Sequence, residues 1–443
     1  MRRLVFADLL DNARIWFGLF AVTALTAVVT AVVAAAIETG VVVGGFVALA
    51  LYAISGTMLM FGAVTAFVVL GSVAGLAVTL QQRAYALWQV IGLRPAHVRR
   101  IVLAQVAIVA LAGGMSGCLI ARPVLGPLFR FGFSAGTGIA GLDVKFGLLS
   151  ATVVVGFVVL LALAAGAKGA RRAARTEVIA TLREADAPPA AMNVKRWVGG
   201  GLLLVLLSGI SLSLPDTNAD KLSAPLMLIG ALLSGICAAW SPLLLGRLMR
   251  FWTALVPASW SSAWYLARQT TAGNLGRSAA AVNPLMVAVA LVGSLYAAHD
   301  VVGRAPGSQS PPLQAGAVVF LLGGPVMLSA LGATMAIFMA SRTRERDVAL
   351  LTATGASWAT ALRAAAAESL IYVGTAALLG TAVVGLIRLL GALVVGAAVV
   401  PSAETVTSMA LVLFGGVVLM VPATVVPTVL ALRQDAPLAL SAE

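Results

Sequence analysis

The sequence predicts an all-α polytopic membrane protein of about ten transmembrane helices, built as two parallel four-helix repeats joined by two connector spans. Three observations carry this prediction. First, 61% of the 443 residues are hydrophobic and only 10% are charged. A soluble core cannot hide that much apolar surface, whereas a bilayer accepts it in spans of about 20 residues each. Second, the apolar stretches recur along the chain and the loops between them alternate in charge. Third, the second half of the chain repeats the first in register.

Ten spans follow from the hydropathy: 15–37, 50–80, 101–121, 146–167, 197–213, 222–246, 279–298, 313–341, 361–386 and 407–432. Arg2 and Arg3 precede the first, as in a signal peptide, but the apolar run from Ile15 to Ile37 is longer than a secretory core and reads as a membrane helix. From Val41 to Leu80 the chain is apolar throughout. Two spans there would reverse the charge alternation, so one long helix is expected, preceded by an apolar outer loop containing Gly44 and Gly45. Of the 29 basic residues only six (Arg122, Arg130, Lys145, Lys221, Arg304 and Arg388) then fall outside. This asymmetry predicts both termini in the cytoplasm, and the excess of Arg over Lys with abundant Ala, Gly and Val suggests coding from a GC-rich bacterial genome, so a bacterial inner-membrane protein is expected. It also removes nucleic acid as a partner despite the net charge of +13, because the charges rim a membrane and form no single face.

Single residues within the spans add detail. Gly71/Gly75 and Gly113/Gly117 have the small-xxx-small spacing of close helix contacts. Asn283-Pro284 predicts a local kink in the seventh span. Cys118 and Cys237 lie in apolar segments and read as buried thiols. His97 and His299 fall on opposite sides, and no metal-ligand spacing occurs.

The repeat has an offset of 263 residues, from Arg83 to Arg346. At that offset Ala86 matches Ala349, Leu87 matches Leu350, Gly92 matches Gly355, Arg100 matches Arg363 and Gly117 matches Gly380. Arg14 pairs with Arg277, each just before the first span of its half. The organisation expected is a four-span unit over 1–185, a two-span connector over 186–255 and a second four-span unit over 256–443. Both halves start on the same side, so the repeats are parallel.

Between the second and third span of each half lies a short amphipathic segment. Ala84, Leu87, Trp88 and Ile91 recur at helical spacing, and Gly92 supplies a stop. The second copy places Leu350 and Leu351 on the corresponding face, followed by Gly355. A short helix under the membrane, present twice, suits docking into a partner's groove. Ionisable residues inside the spans are scarce. Glu368 is the main one and Gln105 is its neutral counterpart; a pairing of Glu368 with a nearby arginine such as Arg363 is expected. None of the four lysines precedes Ser or Thr, so the chain has no P-loop and is not expected to be an enzyme.

The segments Gln81-Gln-Arg83-Ala-Tyr-Ala-Leu-Trp-Gln-Val-Ile-Gly92 and Arg344-Glu-Arg-Asp347-Val-Ala-Leu-Leu-Thr-Ala-Thr-Gly355 resemble the signature of FtsX-like permeases, as does the closing Ala170-Arg-Arg-Ala-Ala-Arg175. The resemblance covers both halves and is similar to the ten-span form with two four-span units. It implies a MacB-like, type VII ABC transporter permease. In it Arg83, Leu87, Trp88 and Gly92, with Arg346, Asp347, Leu350, Leu351 and Gly355, would form two coupling helices. The implied partner is an ABC ATPase in two copies per permease, carrying the ATP and Mg; this chain would hold no cofactor and would not need to homodimerise. The implied role is export or extraction of an amphipathic or lipophilic compound from membrane lipid, as in antimicrobial peptide resistance. The chain departs from the pattern at Ala84 and Gln105, where acids are usual, and at Gln89 and Thr352, where arginine is usual. It also has only a short loop at 299–312, where ten-span relatives carry a large domain. The residues leave open a non-transporting sensor or regulator, and a secondary transporter.

Overall fold

The computed structural model describes residues 8, 9, 11–133, 143–174, 194–215, 222–257, 261–304, 313–340, 348, 351, 354–396 and 400–432. Among the described residues there are thirteen helices and no strand. They are α1 (Ala13–Val43), α2 (Gly45–Leu80), α3 (Gln82–Val90), α4 (Pro95–Gly132), α5 (Leu148–Ala174), α6 (Val194–Ser213), α7 (Ser223–Ala239), α8 (Ser241–Thr253), α9 (Ser262–Gly273), α10 (Leu275–Gly303), α11 (Ala315–Met339), α12 (Trp358–Val395) and α13 (Ala403–Leu432). Nine of these are long and apolar enough to cross a membrane, and α7 with α8 forms a bent tenth candidate. The protein is an all-α polytopic membrane protein.

Lipid explains why these helices are stable. With no water to satisfy the backbone, a spanning chain must close its hydrogen bonds within itself. Hydroxyls inside the spans do the same: Thr26 and Thr39 donate to the carbonyls of Val22 and Ala35, both at 2.7 Å. Large apolar side chains such as Phe46, Leu148, Leu149 and Leu202 remain exposed on the helix surfaces, where acyl chains replace protein contacts.

Several boundaries differ from expectation for identifiable reasons. The apolar loop before the second span is absent. α1 runs on to Val43, and α2 starts after Gly44, whose φ of 70° turns the chain without a loop. The long helix expected beyond it is present as the 36-residue α2. The sixth span is broken, with α7 and α8 meeting at 83° at Trp240. Pro242 has no N–H to continue the ladder, and α8 is amphipathic, burying Leu245, Met249 and Thr253 while Arg247 and Arg250 stay exposed. Pro284, where a kink is expected, lies inside α10. Gly71 and Gly75 have open space where a side chain would start, so the small-residue contact expected there is not made among the described residues.

The chain divides into two compact units. The first comprises Met1–Ala187 with Pro312–Met335, and the second Pro188–Pro311 with Ala336–Glu443. In the first unit α1 packs on α4, α2 and α5. The α1–α4 crossing is set by glycine: a methyl group at Gly117 would lie 2.2 Å from the Ala24 carbonyl oxygen. α11 joins this unit through Phe320, whose ring meets Phe129 edge-on at 5.0 Å beside Val32, Val33 and Leu51. At the end of α1 opposite α3, the Glu38 carboxylate accepts the Gly147 N–H at 2.9 Å and the Ser150 hydroxyl, and so fixes the start of α5.

In the second unit α10 is the most enclosed helix and packs on α12, α7 and α13. Gly380 of α12 sits against Val289 and Ala290 of α10. At the repeat offset Ala290 matches Ala27 of α1, which Gly117 also meets. The duplication read in the sequence is therefore also a duplicated crossing. Arg388, expected in an outer loop, lies inside α12 and is 1% exposed. It donates to Asp300 at 2.6 Å and to the Val400 carbonyl, which anchors the chain just before α13. α12 is longer than its hydropathy window because this ion pair lets the helix carry a charge past the apolar stretch.

Candidate functional site

The short segment between α2 and α4 forms the helix that its periodicity predicts. α2 ends at Leu80, and α3 covers Gln82–Val90. The chain then reverses at Gly92, where φ is +97°. A side chain is strained in that region of backbone space, which is why glycine stands there. The turn is closed by the Leu93 N–H donating to the Trp88 carbonyl at 3.0 Å, and Pro95 then opens α4.

The second copy has the same closure. Gly355 has φ of +87°, and the Ala356 N–H donates to the Leu351 carbonyl at 3.0 Å. Ala356 and Leu351 stand at the repeat offset from Leu93 and Trp88. Ser357 then caps α12 by accepting the Thr360 N–H. Arg346, Asp347 and Leu350 lie outside the described residues, as does the side chain of Arg83. Leu351 is half-buried and Gly355 is exposed.

The faces of α3 are now distinct. Tyr85 and Ala86 are fully buried, and Trp88 turns inward, its ring edge-on to Tyr85 at 5.3 Å, in a cluster with Val78, Val98 and Val102. The outward residues are Leu87, 53% exposed, Val90, and Ile91, 78% exposed. Arg94, Arg99 and Arg100 are exposed just beyond the turn. The periodicity placed Leu87, Trp88 and Ile91 on one stripe. In the structure Trp88 anchors the helix and the other two face away. Val90 joins the outward set, and only its spacing from Leu87 could have signalled it.

Thirteen residues after each turn glycine stands a buried polar side chain, Gln105 on α4 and Glu368 on α12. Gln105 Nε2 donates to Asp8 Oδ2 at 2.7 Å, and Asn12 donates to the other oxygen of Asp8. Burial pushes the Asp8 carboxyl above its ordinary value, against the hydrogen bonds from Gln105 and Asn12. Burial, with the Asp8 charge nearby, likewise raises Tyr85 above the ordinary phenol range. Glu368 is paired with Arg277 at 3.1 Å and accepts the Tyr372 hydroxyl at 2.6 Å. Arg363, the partner expected from proximity in sequence, is exposed. The reason is geometric: residues five apart on a helix point in different directions, whereas α10 presents Arg277 directly to Glu368.

Each polar tie joins the third span of a repeat to the segment that begins its first span. The Tyr85–Trp88 cluster joins α3 to α4, and Gln105 with Asp8 joins α4 to the segment ahead of α1. Among the described residues no three His, Cys, Asp or Glu side chains gather as metal ligands. Asp8 and Arg277 are the participants that sequence reasoning did not assign. Arg277 had a signal in its repeat pairing with Arg14.

No protein-family model matches the chain, and no curated protein matches it.

Proposed function

We propose that this membrane protein is the permease subunit of an ABC transporter, driven by a separate ATPase that supplies ATP hydrolysis. The observation that carries the reading is the duplicated turn. Twice, at one offset, a short segment between membrane helices ends at a positive-φ glycine with the same closing hydrogen bond. One copy displays Leu87, Val90 and Ile91 outward beside exposed arginines. An apolar knob with a basic rim fits a groove in a partner, and a second turn of the same closure in the chain fits a second ATPase copy. The distribution of arginine supports a cytoplasmic side for the turns and both termini. ATP-driven closure of the ATPases pushes on α3 and its counterpart and moves the first and third spans of each repeat. The cargo is an amphipathic or lipophilic compound taken from the membrane, in keeping with the FtsX-like resemblance and the apolar helix surfaces.

The test is co-expression with ABC ATPases, affinity purification and an ATP hydrolysis assay. The expected result is a complex of two ATPases per permease, lost in Leu87→Asp/Ile91→Asp, whose substitutions lie on exposed positions and leave the fold intact. Unchanged co-purification of that double variant, or of a variant with Arg346 and Asp347 reversed in charge, overturns the coupling assignment.

A further inference from the structure

The end of α4 farthest from the turn carries two arginines that the coupling mechanism does not use. Between Arg100 and Arg122 no Asp, Glu, Lys or Arg occurs. That stretch is about 32 Å of helix, which matches a hydrocarbon core of about 30 Å. Arg99 and Arg100 therefore mark one membrane interface and Arg122 marks the other. α4 continues past it to Gly132 and carries Arg130 about 12 Å farther along the axis.

Arg122, Gly126 and Arg130 follow one another at four-residue spacing on one stripe of the helix. A methyl group at Gly126 would meet nothing within 4 Å among the described residues, so the helix surface between the two arginines is open there. The stripe lines a cleft of about 350 Å3, with Asp143 and Phe146 on the segment that leads into α5. Both arginines and Asp143 are exposed, and none makes an ion pair with a described residue.

We infer that this cleft binds the headgroup of a membrane phospholipid that carries a phosphate and a hydrogen-bond-donating ammonium. The phosphate bridges Arg122 and Arg130, whose forked donors match its oxygens. The ammonium donates to Asp143. The two arginines face the phosphate with positive charge, and Asp143 faces the ammonium with negative charge. A choline head keeps the phosphate but has no N–H for Asp143. The site needs no ATPase, so its failure and the failure of the coupling reading are separate results.

The experiment measures lipid retention by native mass spectrometry on the full chain in detergent. Phosphatidylethanolamine, phosphatidylcholine or inorganic phosphate is added to wild type, Arg122→Ala/Arg130→Ala and Asp143→Asn. Phosphatidylethanolamine is expected to bind wild type about tenfold or more tightly than the double alanine variant, the loss of charge-assisted hydrogen bonds being of that size. Asp143→Asn should erase the preference over phosphatidylcholine. Arg122→Lys/Arg130→Lys keeps the charge and the fold, and should still lose affinity because it loses the fork. Equal retention by wild type and both arginine variants overturns the site. Equal retention of the two lipids by wild type overturns the role of Asp143, and displacement by millimolar inorganic phosphate shows a free-anion site and overturns the lipid assignment.

Discussion

Gln105 and Glu368 occupy the same place in the two repeats and make the same kind of tie with different chemistry. Both are buried, and both tie a third span to the segment that begins a first span. In the first unit the acid is Asp8, ahead of α1, and the helix supplies a neutral amide. In the second the acid is on α12 and the partner is a guanidinium on α10. The comparison shows that the repeat keeps a tie between two elements, while leaving free which element carries the charge. It also makes the two ties unequal in strength. A neutral amide can be lost at the cost of one hydrogen bond, whereas an ion pair that loses one member leaves a charge in a nearly dry site.

The largest effect should therefore come from Glu368→Ala. Arg277, with 10% of its side chain exposed, is then left without its carboxylate. Removing one member of a buried pair costs about 3–5 kcal/mol. Gln105→Ala should cost about 1–3 kcal/mol, since Asp8 can turn toward water. Thermal unfolding of the detergent-solubilised variants measures both. Equal losses would break the comparison and show that the two ties bear the same load.

A smaller effect sharpens the comparison at the helix crossings. Gly117 and Gly380 are repeat partners, yet their neighbours differ in kind. A methyl at Gly117 would stand 2.2 Å from a backbone carbonyl of α1, whereas at Gly380 the nearest atom is a side-chain methyl of Val289 at 2.6 Å. A rotamer change moves the Val289 methyl and leaves its Cβ at 2.9 Å, a milder contact, whereas a helical carbonyl cannot move without its helix. Gly117→Ala should cost about 1–3 kcal/mol by forcing α1 and α4 apart, and Gly380→Ala should cost less. The order of the two melting temperatures decides it.

How much of this was legible in the sequence varies with the physics behind each feature. The spans were legible because hydropathy alone makes them, and the turn glycines because positive φ excludes most other residues. The register of the repeat was legible because Gly117 and Gly380 must both be small. What was not legible depends on direction in three dimensions. Glu368 lies near Arg363 in sequence, and nothing in the sequence says that α10 presents Arg277 instead. Arg388 reads as a loop residue because hydropathy prices a charge without its partner, and Asp300 lies 88 residues away. Trp88 and Leu87 are neighbours on an amphipathic stripe, and only the packing of Tyr85 separates the anchor from the exposed residue. The break at Trp240 is the intermediate case: Pro242 signals a disruption, but not an angle of 83°.

The smallest effect concerns the neutral tie and is a matter of pH. Burial raises the Asp8 carboxyl above 3.8, with the charge of Asp11 adding to it, while Gln105 and Asn12 pull the other way. A carboxyl whose folded value is raised binds its proton more tightly in the folded protein. Its contribution to docking of the N-terminal segment is thus fully present below the unfolded value, and it is lost as pH rises through the folded value. Asp8→Asn stays neutral throughout and still offers a carbonyl oxygen to Gln105. Wild type and Asp8→Asn should match below pH 3.8, and Asp8→Asn should become the better docked as pH rises toward neutrality. Hydrogen exchange at the backbone amides of residues 8–16 measures the docking. The same titration on Glu368→Gln should show the opposite order at neutral pH, because there the charge is the partner that Arg277 requires. If both variants instead shift the same way, the two repeats do not differ in where they need charge.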